Sequence, residues 1–263
     1  MTLTAAWSRN IGDVRELILA SDSRLTGGYS WDACPKILPL ARGDCALSFA
    51  GDTAFAYPGM LQVASAVRMY PKALDRSQDL FDFKGKVLEM IDEMRSHIHS
   101  AVAAEAVPGE EQTFLILAGY SWRQSDFAIW TLHSDPGIDA FTFRPATPWQ
   151  GVDGTRVLAV AGNAVPAFKE RLVALLAARG KLQTGGFDME PFEILRDLIR
   201  QGIEPSIGGP PQLVKVYRHM NVTSFTVFWP DAASKKKTLL GRTLHDFEQA
   251  PTGVLDPDTL AIA

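Results

Sequence analysis

Thr2 is the residue of this sequence whose type and position most directly suggest chemistry. A threonine hydroxyl is a weak nucleophile at neutral pH and needs a nearby base to take its proton. If Met1 is removed, which the small side chain at position 2 permits, the new α-amine lies on the same residue as the hydroxyl. Its unperturbed pKa of about 7.7–8.0 suits it to act as that base. Position 2 therefore indicates the chemistry of an N-terminal threonine.

Other reactive residue types do not form a recognisable site. The five histidines lack the spacing of a zinc protease, and His97 and His99 stand two residues apart on a predicted helix, so their side chains diverge. The two cysteines, Cys34 and Cys45, are too few for a disulfide framework or a zinc site of paired CxxC motifs. The glycine pairs lack the context of a nucleotide-binding loop. We therefore expect neither a metal nor a cofactor.

Composition excludes several classes of protein. The chain has 263 residues, with 46% apolar and 21% charged residues, which is typical of a globular protein rather than a disordered one. A net charge of −4 lacks the basic surface of a nucleic-acid binder. No apolar run approaches the roughly 18 residues of a membrane span, and the N-terminus does not resemble a signal peptide. We expect a cytoplasmic protein that binds neither nucleic acid nor membrane.

The elements that must position Thr2 follow from hydrophobic periodicity. Alternating segments predict strands and apolar stripes at helical spacing predict helices. In chain order these are strands over 3–8, 16–22, 36–40 and 45–50, helices over 53–68 and 79–104, strands over 113–119, 126–132, 141–143 and 157–160, helices over 166–182 and 189–201, and strands over 212–217 and 224–229.

This order differs from the strand–helix alternation of a doubly wound parallel sheet. It predicts an α+β fold, a four-layer αββα sandwich of two antiparallel sheets flanked by helix pairs. The first four strands are expected side by side in one sheet, with the helices over 53–68 and 79–104 on its outer face. We see no linker and expect one domain over 1–263, with residues ~231–263 as a C-terminal edge hairpin and tail.

Several short motifs resemble one family. The motifs are Thr2-Leu3-Thr4, the segment ASDSRLTGG over 20–28, Cys34-Pro35-Lys36-Ile37, and SFAGDTA over 48–54. They resemble, in turn, the mature start, the Asp-x-Arg-x-Thr segment, the catalytic-lysine strand and the Ala-Gly turn of the proteasome β-subunits and the HslV-type peptidases. These are N-terminal nucleophile (Ntn) hydrolases. The resemblance covers 2–68 well and 113–230 loosely.

The resemblance implies a role for each matching residue. Thr2 would be the nucleophile, and the Lys36 ammonium, paired with Asp22, would hold down the pKa of the α-amine. The backbone N–H of Gly51 would serve as the oxyanion donor. Substrate binding would fall to Arg24, Thr26 and Gly28, since the backbone at the last two matches positions that pair with an extended substrate.

The sequence also departs from the family pattern. Ala161 and Ile207 stand where the family has serines, and Glu204 stands where it has an aspartate. Glu204 and Ser206 are the residues expected to support the α-amine instead. The first hypothesis is a threonine-type hydrolase, or threonine protease, that cleaves peptide or other amide bonds. The alternative is a catalytically inactive proteasome-like assembly or interaction protein, and a third hypothesis is an amidase of small molecules.

The resemblance implies partners as well. Family members bury the outer faces of their helices against neighbouring subunits in rings. We therefore expect a homo-oligomer, including a ring of six or seven subunits or a doubled ring. The expected substrate is a peptide or another amide. An ATPase or other regulatory partner is compatible with the resemblance, but the sequence names none.

Overall fold

The computed structural model describes residues 2–27, 29–98, 113–146, 148, 157–183 and 186–262. Within these ranges the chain forms fifteen strands and five helices. In order they are β1 (Leu3–Ile11), β2 (Val14–Ser21), β3 (Leu25–Thr26), β4 (Ser30–Trp31), β5 (Ile37–Pro39), β6 (Cys45–Ala50), α1 (Thr53–Met69), α2 (Pro71–Leu74), α3 (Leu80–Ser96), β7 (Phe114–Ser121), β8 (Asp126–Asp135), β9 (Ala140–Pro145), β10 (Leu158–Gly162), α4 (Val165–Ala178), α5 (Glu190–Gln201), β11 (Gln212–Tyr217), β12 (Asn221–Phe228), β13 (Lys237–Leu239), β14 (Arg242–Thr243) and β15 (Val254–Leu255).

The strands form three sheets. The first sheet has the order β10-β1-β2-β11-β12-β13-β14, with β15 added beside β12, and the second has the order β5-β6-β7-β8-β9. The third is the two-stranded pair β3-β4. Apart from the parallel β12–β15 pair, neighbouring strands run antiparallel. In the C-terminal region, β13 and β14 make a hairpin at the end of the first sheet.

Three apolar clusters hold these elements together. One joins the first sheet to α4 and α5 through side chains such as Trp7, Phe168 and Phe192. A second joins the second sheet to α1 and α3. The third lies between the first and second sheets and includes Leu19 and Ile116, both fully buried. The third cluster fixes the two larger sheets against each other, and with them the strand ends that carry Thr2 and Lys36.

Helix α1 starts almost directly after β6, leaving only Gly51 and Asp52 between them. The Asp52 side chain caps the helix by accepting a hydrogen bond from the Ala54 N–H at 2.6 Å. An aspartate at this position satisfies one of the free N–H groups of the first turn. The strand-to-helix turn expected at Gly51 is therefore present.

The predicted fold class, a four-layer αββα sandwich of two sheets flanked by helix pairs, is wrong. Across the described residues the chain is mostly antiparallel sheet, with 36% strand against 27% helix and three sheets rather than two. The strands shorter than four residues account for part of the difference. The two-residue segments β3 and β4 carry no readable alternation, so the sequence predicted no strands there.

The grouping of the first four strands is also wrong. β1 and β2 belong to the first sheet, whereas β5 and β6 belong to the second. The other neighbour of β2 is β11, almost two hundred residues away in sequence. Alternation shows which face of a strand is buried, but it does not show which strand lies beside it.

Helix bounds differ more modestly from the predicted ones. The helix expected over 79–104 is α3, which ends at Ser96, and residues 99–104 of that prediction lie outside the described residues. The helix expected over 166–182 is α4, which ends at Ala178. Of the helices that the structure describes, none is long and apolar enough to cross a lipid bilayer.

Candidate functional site

Thr2, Asp22 and Lys36 form a buried cluster of contacting side chains. The Lys36 ammonium donates to Thr2 Oγ1, and to Asp22 Oδ1 at 2.8 Å. Thr2 Oγ1 in turn donates to Asp22 Oδ1. Thr2 is 1% exposed, and Asp22 and Lys36 are fully buried. The structure thus brings together three of the four residues expected to perform catalysis.

The three residues come from the ends of different strands. Thr2 immediately precedes β1 and Asp22 immediately follows its neighbour β2, so the antiparallel pairing of β1 and β2 places them side by side. Lys36 immediately precedes β5 in the second sheet. The site therefore lies where strand ends of the two larger sheets meet.

Main-chain donors fix both oxygens of the Asp22 carboxylate. Oδ1 accepts the N–H of Leu3 at 3.1 Å, while Oδ2 accepts those of Arg24 at 3.0 Å and Gly208 at 3.1 Å. Hydrogen bonds to a charged acceptor are stronger than those between neutral groups. The backbone thus holds the carboxylate in place at three points, independently of Lys36.

The Lys36 ammonium has an altered acidity. Burial lowers the pKa of Lys36, because the charged form loses its hydration, and the charge of Asp22 offsets part of that effect. A lysine of this kind holds a positive charge next to Thr2 Oγ1 and gives up its proton more readily than a lysine in water. Both properties suit proton transfer at a hydroxyl nucleophile.

Gly162 fixes the backbone of Thr2, a role that sequence reasoning missed. It pairs with Leu3 in the β10–β1 ladder and has a φ of +122°. A Cβ added there would lie 1.8 Å from the Thr2 carbonyl oxygen. The next residue, Asn163, donates its N–H to the same oxygen at 3.2 Å. The available signal was Gly162 itself, because the family pattern singles out only the preceding Ala161, which stands in place of a serine.

Gln212 is the second residue that sequence reasoning missed. It is the first residue of β11, it is fully buried, and its side-chain amide contacts the segments that carry Asp22 and Lys36. A glutamine directly before an apolar strand was a weak signal, because the same pattern is common at exposed strand ends.

Gly51 is only partly connected to this cluster. It lies at the end of β6 with a φ of +116°, and β6 is tied to β1 by a 3.0 Å hydrogen bond from Thr4 Oγ1 to Ser48 Oγ. Between described residues, no hydrogen bond joins Gly51 to Thr2. The structure thus places Gly51 directly after a strand that is held next to β1.

Arg24 has its guanidinium engaged by protein groups. Nε and Nη2 form a two-pronged ion pair with the Asp32 carboxylate, at 2.6 Å and 2.8 Å, which raises the pKa of Arg24. Nη1 donates to the carbonyl oxygens of Pro205 and Ile207 at 3.3 Å and 3.4 Å. Arg24 therefore holds the loop that carries Gly208, one of the donors to Asp22.

The other residues expected to bind substrate or to support the amine lie in two segments that are far apart in sequence. Thr26 pairs with Ser30 in the small sheet, and Gly28 lies outside the described residues. Ser206 Oγ donates to Glu204 Oε1 at 2.9 Å. In the part of the chain that the structure describes, neither Glu204 nor Ser206 hydrogen-bonds to Thr2, and their mutual hydrogen bond lies in the segment before Gly208.

A cavity of about 370 Å³ lies beside β10. Its lining includes Ala161 and Gly162 of β10 and Thr131 and Arg144 of the second sheet. Because Gly162 lies against the Thr2 carbonyl, this cavity adjoins the backbone of the Thr2 cluster. Its lining combines apolar side chains with the Arg144 and Lys169 cations.

No group of three His, Cys, Asp or Glu side chains within the described ranges is arranged to hold a metal ion. Cys34 and Cys45 are both free and buried, and burial raises the pKa of both thiols. Neither thiol has the lowered pKa of a reactive cysteine.

Comparison with known proteins adds no family assignment. No model of a protein family matches this sequence, and no curated protein matches it to a significant degree.

Proposed function

We propose that this chain is a threonine hydrolase that uses Thr2 as its nucleophile to cleave peptide or other amide bonds. The single observation that supports this most strongly is the buried contact of Thr2 Oγ1 with both Lys36 and Asp22. Such a cluster costs folding free energy, since a buried ammonium and carboxylate lose their hydration. The motif resemblance to the proteasome β-subunits and HslV-type peptidases supports the same proposal.

The reaction proceeds as acyl transfer in two stages. The α-amine of Thr2, free after removal of Met1, takes the hydroxyl proton while Oγ1 attacks the substrate carbonyl carbon. The resulting tetrahedral intermediate collapses as the amine returns the proton to the leaving nitrogen, which breaks the C–N bond and leaves an ester on Thr2. Water, deprotonated by the same amine, then cleaves the ester and restores the hydroxyl.

Each neighbouring group has a task in this scheme. The Lys36 ammonium keeps the α-amine neutral near pH 7, because two adjacent positive charges repel each other. Asp22 orients Lys36 and balances its charge. The Gly51 N–H is the proposed donor to the developing oxyanion, a contribution worth about 10²–10³ in rate at such positions. Glu204 and Ser206 support the turn that brings Gly208 to Asp22.

The substrate and the cellular setting follow from the same proposal. The proposed binding site for an extended peptide or amide substrate is the segment that contains Arg24, Thr26 and Gly28. The two free, buried cysteines agree with a cytoplasmic protein. The homo-oligomer and a regulatory partner stay predictions.

The alternative is a protein that keeps the site without the activity, as an assembly or interaction module. Two observations favour it: Thr2 is only 1% exposed, and alanine and isoleucine occupy the expected serine positions 161 and 207. The intact mass of the mature protein separates the two hypotheses. Retention of Met1 blocks the α-amine and favours the inactive protein.

The test of activity uses purified protein, a panel of fluorogenic peptide amides and two variants at position 2. Thr2→Ala should lower turnover by at least about 10³-fold, since no other group replaces the nucleophile. Thr2→Ser should retain part of the activity, because the α-amine can take its proton equally well. Thr243→Ala, at an exposed position in β14, is the matched control and should be unchanged. Turnover that survives Thr2→Ala undiminished excludes the proposal.

A further inference from the structure

Gln212 has a fully buried side-chain amide with every hydrogen-bonding group in use. Its Nε2 donates to the carbonyl oxygens of Asp22 at 3.0 Å and Cys34 at 2.8 Å, and lies 3.0 Å from Ser23 Oγ. Its Oε1 accepts the main-chain N–H of Lys36 at 2.9 Å and that of Ile37 at 3.3 Å. One side chain thus contacts the backbone of both residues that flank Thr2 Oγ1.

We propose that Gln212 is the positioning residue that sets the Lys36 ammonium against Thr2, by joining the backbone of the Lys36 segment to that of the Asp22 segment. This inference rests on the proposed function. The segment 34–37 leads into the second sheet, whereas Asp22 and Ser23 continue from β2 of the first sheet. No β-ladder joins the two segments, so their relative position depends on separate contacts.

Only a primary amide fits this position. The group must donate two N–H bonds to carbonyl oxygens on one side and accept two N–H bonds on the other. A carboxylate would face the oxygens of Asp22 and Cys34 without a proton to share, and an apolar side chain would leave both pairs unsatisfied. The main-chain bond from Cys34 N–H to Ser23 O, at 3.1 Å, is a second link between the segments, so loss of Gln212 loosens the junction without separating it.

The chemical consequence falls on the α-amine of Thr2. When Lys36 is held in place, its ammonium lowers the pKa of that amine below the usual 7.7–8.0. When the Lys36 backbone shifts, the ammonium moves away and the amine pKa rises toward the usual range. A residue that merely stabilises the fold would not change this pKa in the molecules that remain folded.

The experiment measures the α-amine pKa directly, on full-length chain from which Met1 has been removed. Competitive acetylation by acetic anhydride, followed by mass spectrometry across pH 6–9, reports that pKa without requiring turnover. Gln212→Met should raise it by about one unit relative to the wild type, and should lower kcat at least tenfold with little change in KM. Gln212→Asn, which keeps the amide but withdraws it by one methylene, should shift the amine pKa in the same direction and keeps the test open if the Met variant does not fold.

Val214→Ala, two residues along β11, is the matched control. Val214 is fully buried in the cluster between the sheets, so this change destabilises the same strand without touching the Asp22–Lys36 junction. Its amine pKa should equal that of the wild type. An unchanged amine pKa in both Gln212 variants would overturn the positioning role. If the pKa shifts as expected but no variant or wild-type protein hydrolyses any amide, the positioning role stands and the hydrolase proposal fails.

Discussion

Asp22 and Lys36 form a buried ion pair whose two members depend on each other unequally. Without Lys36, the Asp22 carboxylate still accepts the N–H groups of Leu3, Arg24 and Gly208. Without Asp22, those three N–H groups lose an acceptor and the ammonium loses its counter-charge. The carboxylate is thus the centre of the local structure, and the lysine is attached to it.

We therefore predict that Asp22→Ala destabilises the protein more than Lys36→Met. Breaking a buried pair costs about 3–5 kcal/mol, and each unpaired buried donor adds about 1–3 kcal/mol. The loss for Asp22→Ala should exceed that for Lys36→Met by at least about 1 kcal/mol. Urea denaturation at pH 7.5 measures both, and both variants should lack hydrolysis. Equal losses, or a larger one for Lys36→Met, would show that the backbone donors contribute little.

Among single residues, the sequence identified the members of the contacting cluster but missed the residues that hold them in place. Thr2, Asp22 and Lys36 were named from short motifs, and the structure brings all three into contact. Gly162 and Gln212 were not named, because each acts through main-chain groups more than 150 residues away in sequence. A pattern within one segment carries no information about a contact of that range.

Strand β10 positions Thr2 although it contributes no reactive side chain. It lies at the edge of the first sheet and pairs with β1 along Leu3–Trp7. Its last residue, Gly162, lies so close to the Thr2 carbonyl that a side chain has no room. The strand therefore fixes the position of the Thr2 backbone relative to Asp22, the residue that follows the neighbouring β2.

We predict that Gly162→Ala lowers both stability and hydrolysis. A positive φ is strained for alanine, and the added Cβ must push the Thr2 carbonyl away, so the loss should be at least about 2 kcal/mol. Gly85→Ala is the control, because Gly85 lies inside α3 and an added Cβ meets nothing within 4 Å. That change should raise stability by about 0.5–1 kcal/mol. Thermal melts and peptide hydrolysis test the pair, and an active, stable Gly162→Ala protein would contradict the prediction.

For the strands and helices, local sequence patterns predicted where each element lies in the chain but not which elements pair. The β1–β2 and β5–β6 pairs are joined by short turns, and both were predicted as neighbours. Their assignment to one sheet was wrong because β2 pairs with β11 instead. Alternating apolar residues show which face of a strand is buried. They do not show which neighbouring strand it pairs with, since many strands present the same alternation.

Across the whole molecule, buried ionisable groups make stability depend on alkaline pH. Burial raises the pKa of Cys34, Cys45, Tyr57 and Tyr217, and lowers that of Lys36. As pH rises past the usual range of a thiol or phenol, the unfolded chain releases those protons while the folded chain keeps them, so stability falls. Lys36 acts in the opposite sense, because the unfolded chain keeps its proton up to the usual lysine range while the folded chain releases it earlier. Burial also lowers the pKa of Lys84, which acts in the same sense as Lys36. Four groups therefore oppose two, and we expect a net loss of stability above pH 9.

Cys45 gives the sharpest test of that trend, because it is fully buried in β6 and its pKa lies well above the ordinary value of 9.0. As pH rises from 8.5 to 10.5, the unfolded thiol loses its proton while the folded thiol holds its proton more tightly, so the wild type loses stability relative to a variant without a thiol at this position. We predict that Cys45→Ser is less stable than the wild type at pH 7.5 and that the difference shrinks steadily between pH 8.5 and 10.5. Cys45→Ala should show the same slope with a different offset, because its cavity cost does not depend on pH. Urea midpoints at four pH values measure both series, and parallel curves for the wild type and the two variants would show that the Cys45 thiol ionises in the folded protein as readily as in the unfolded one.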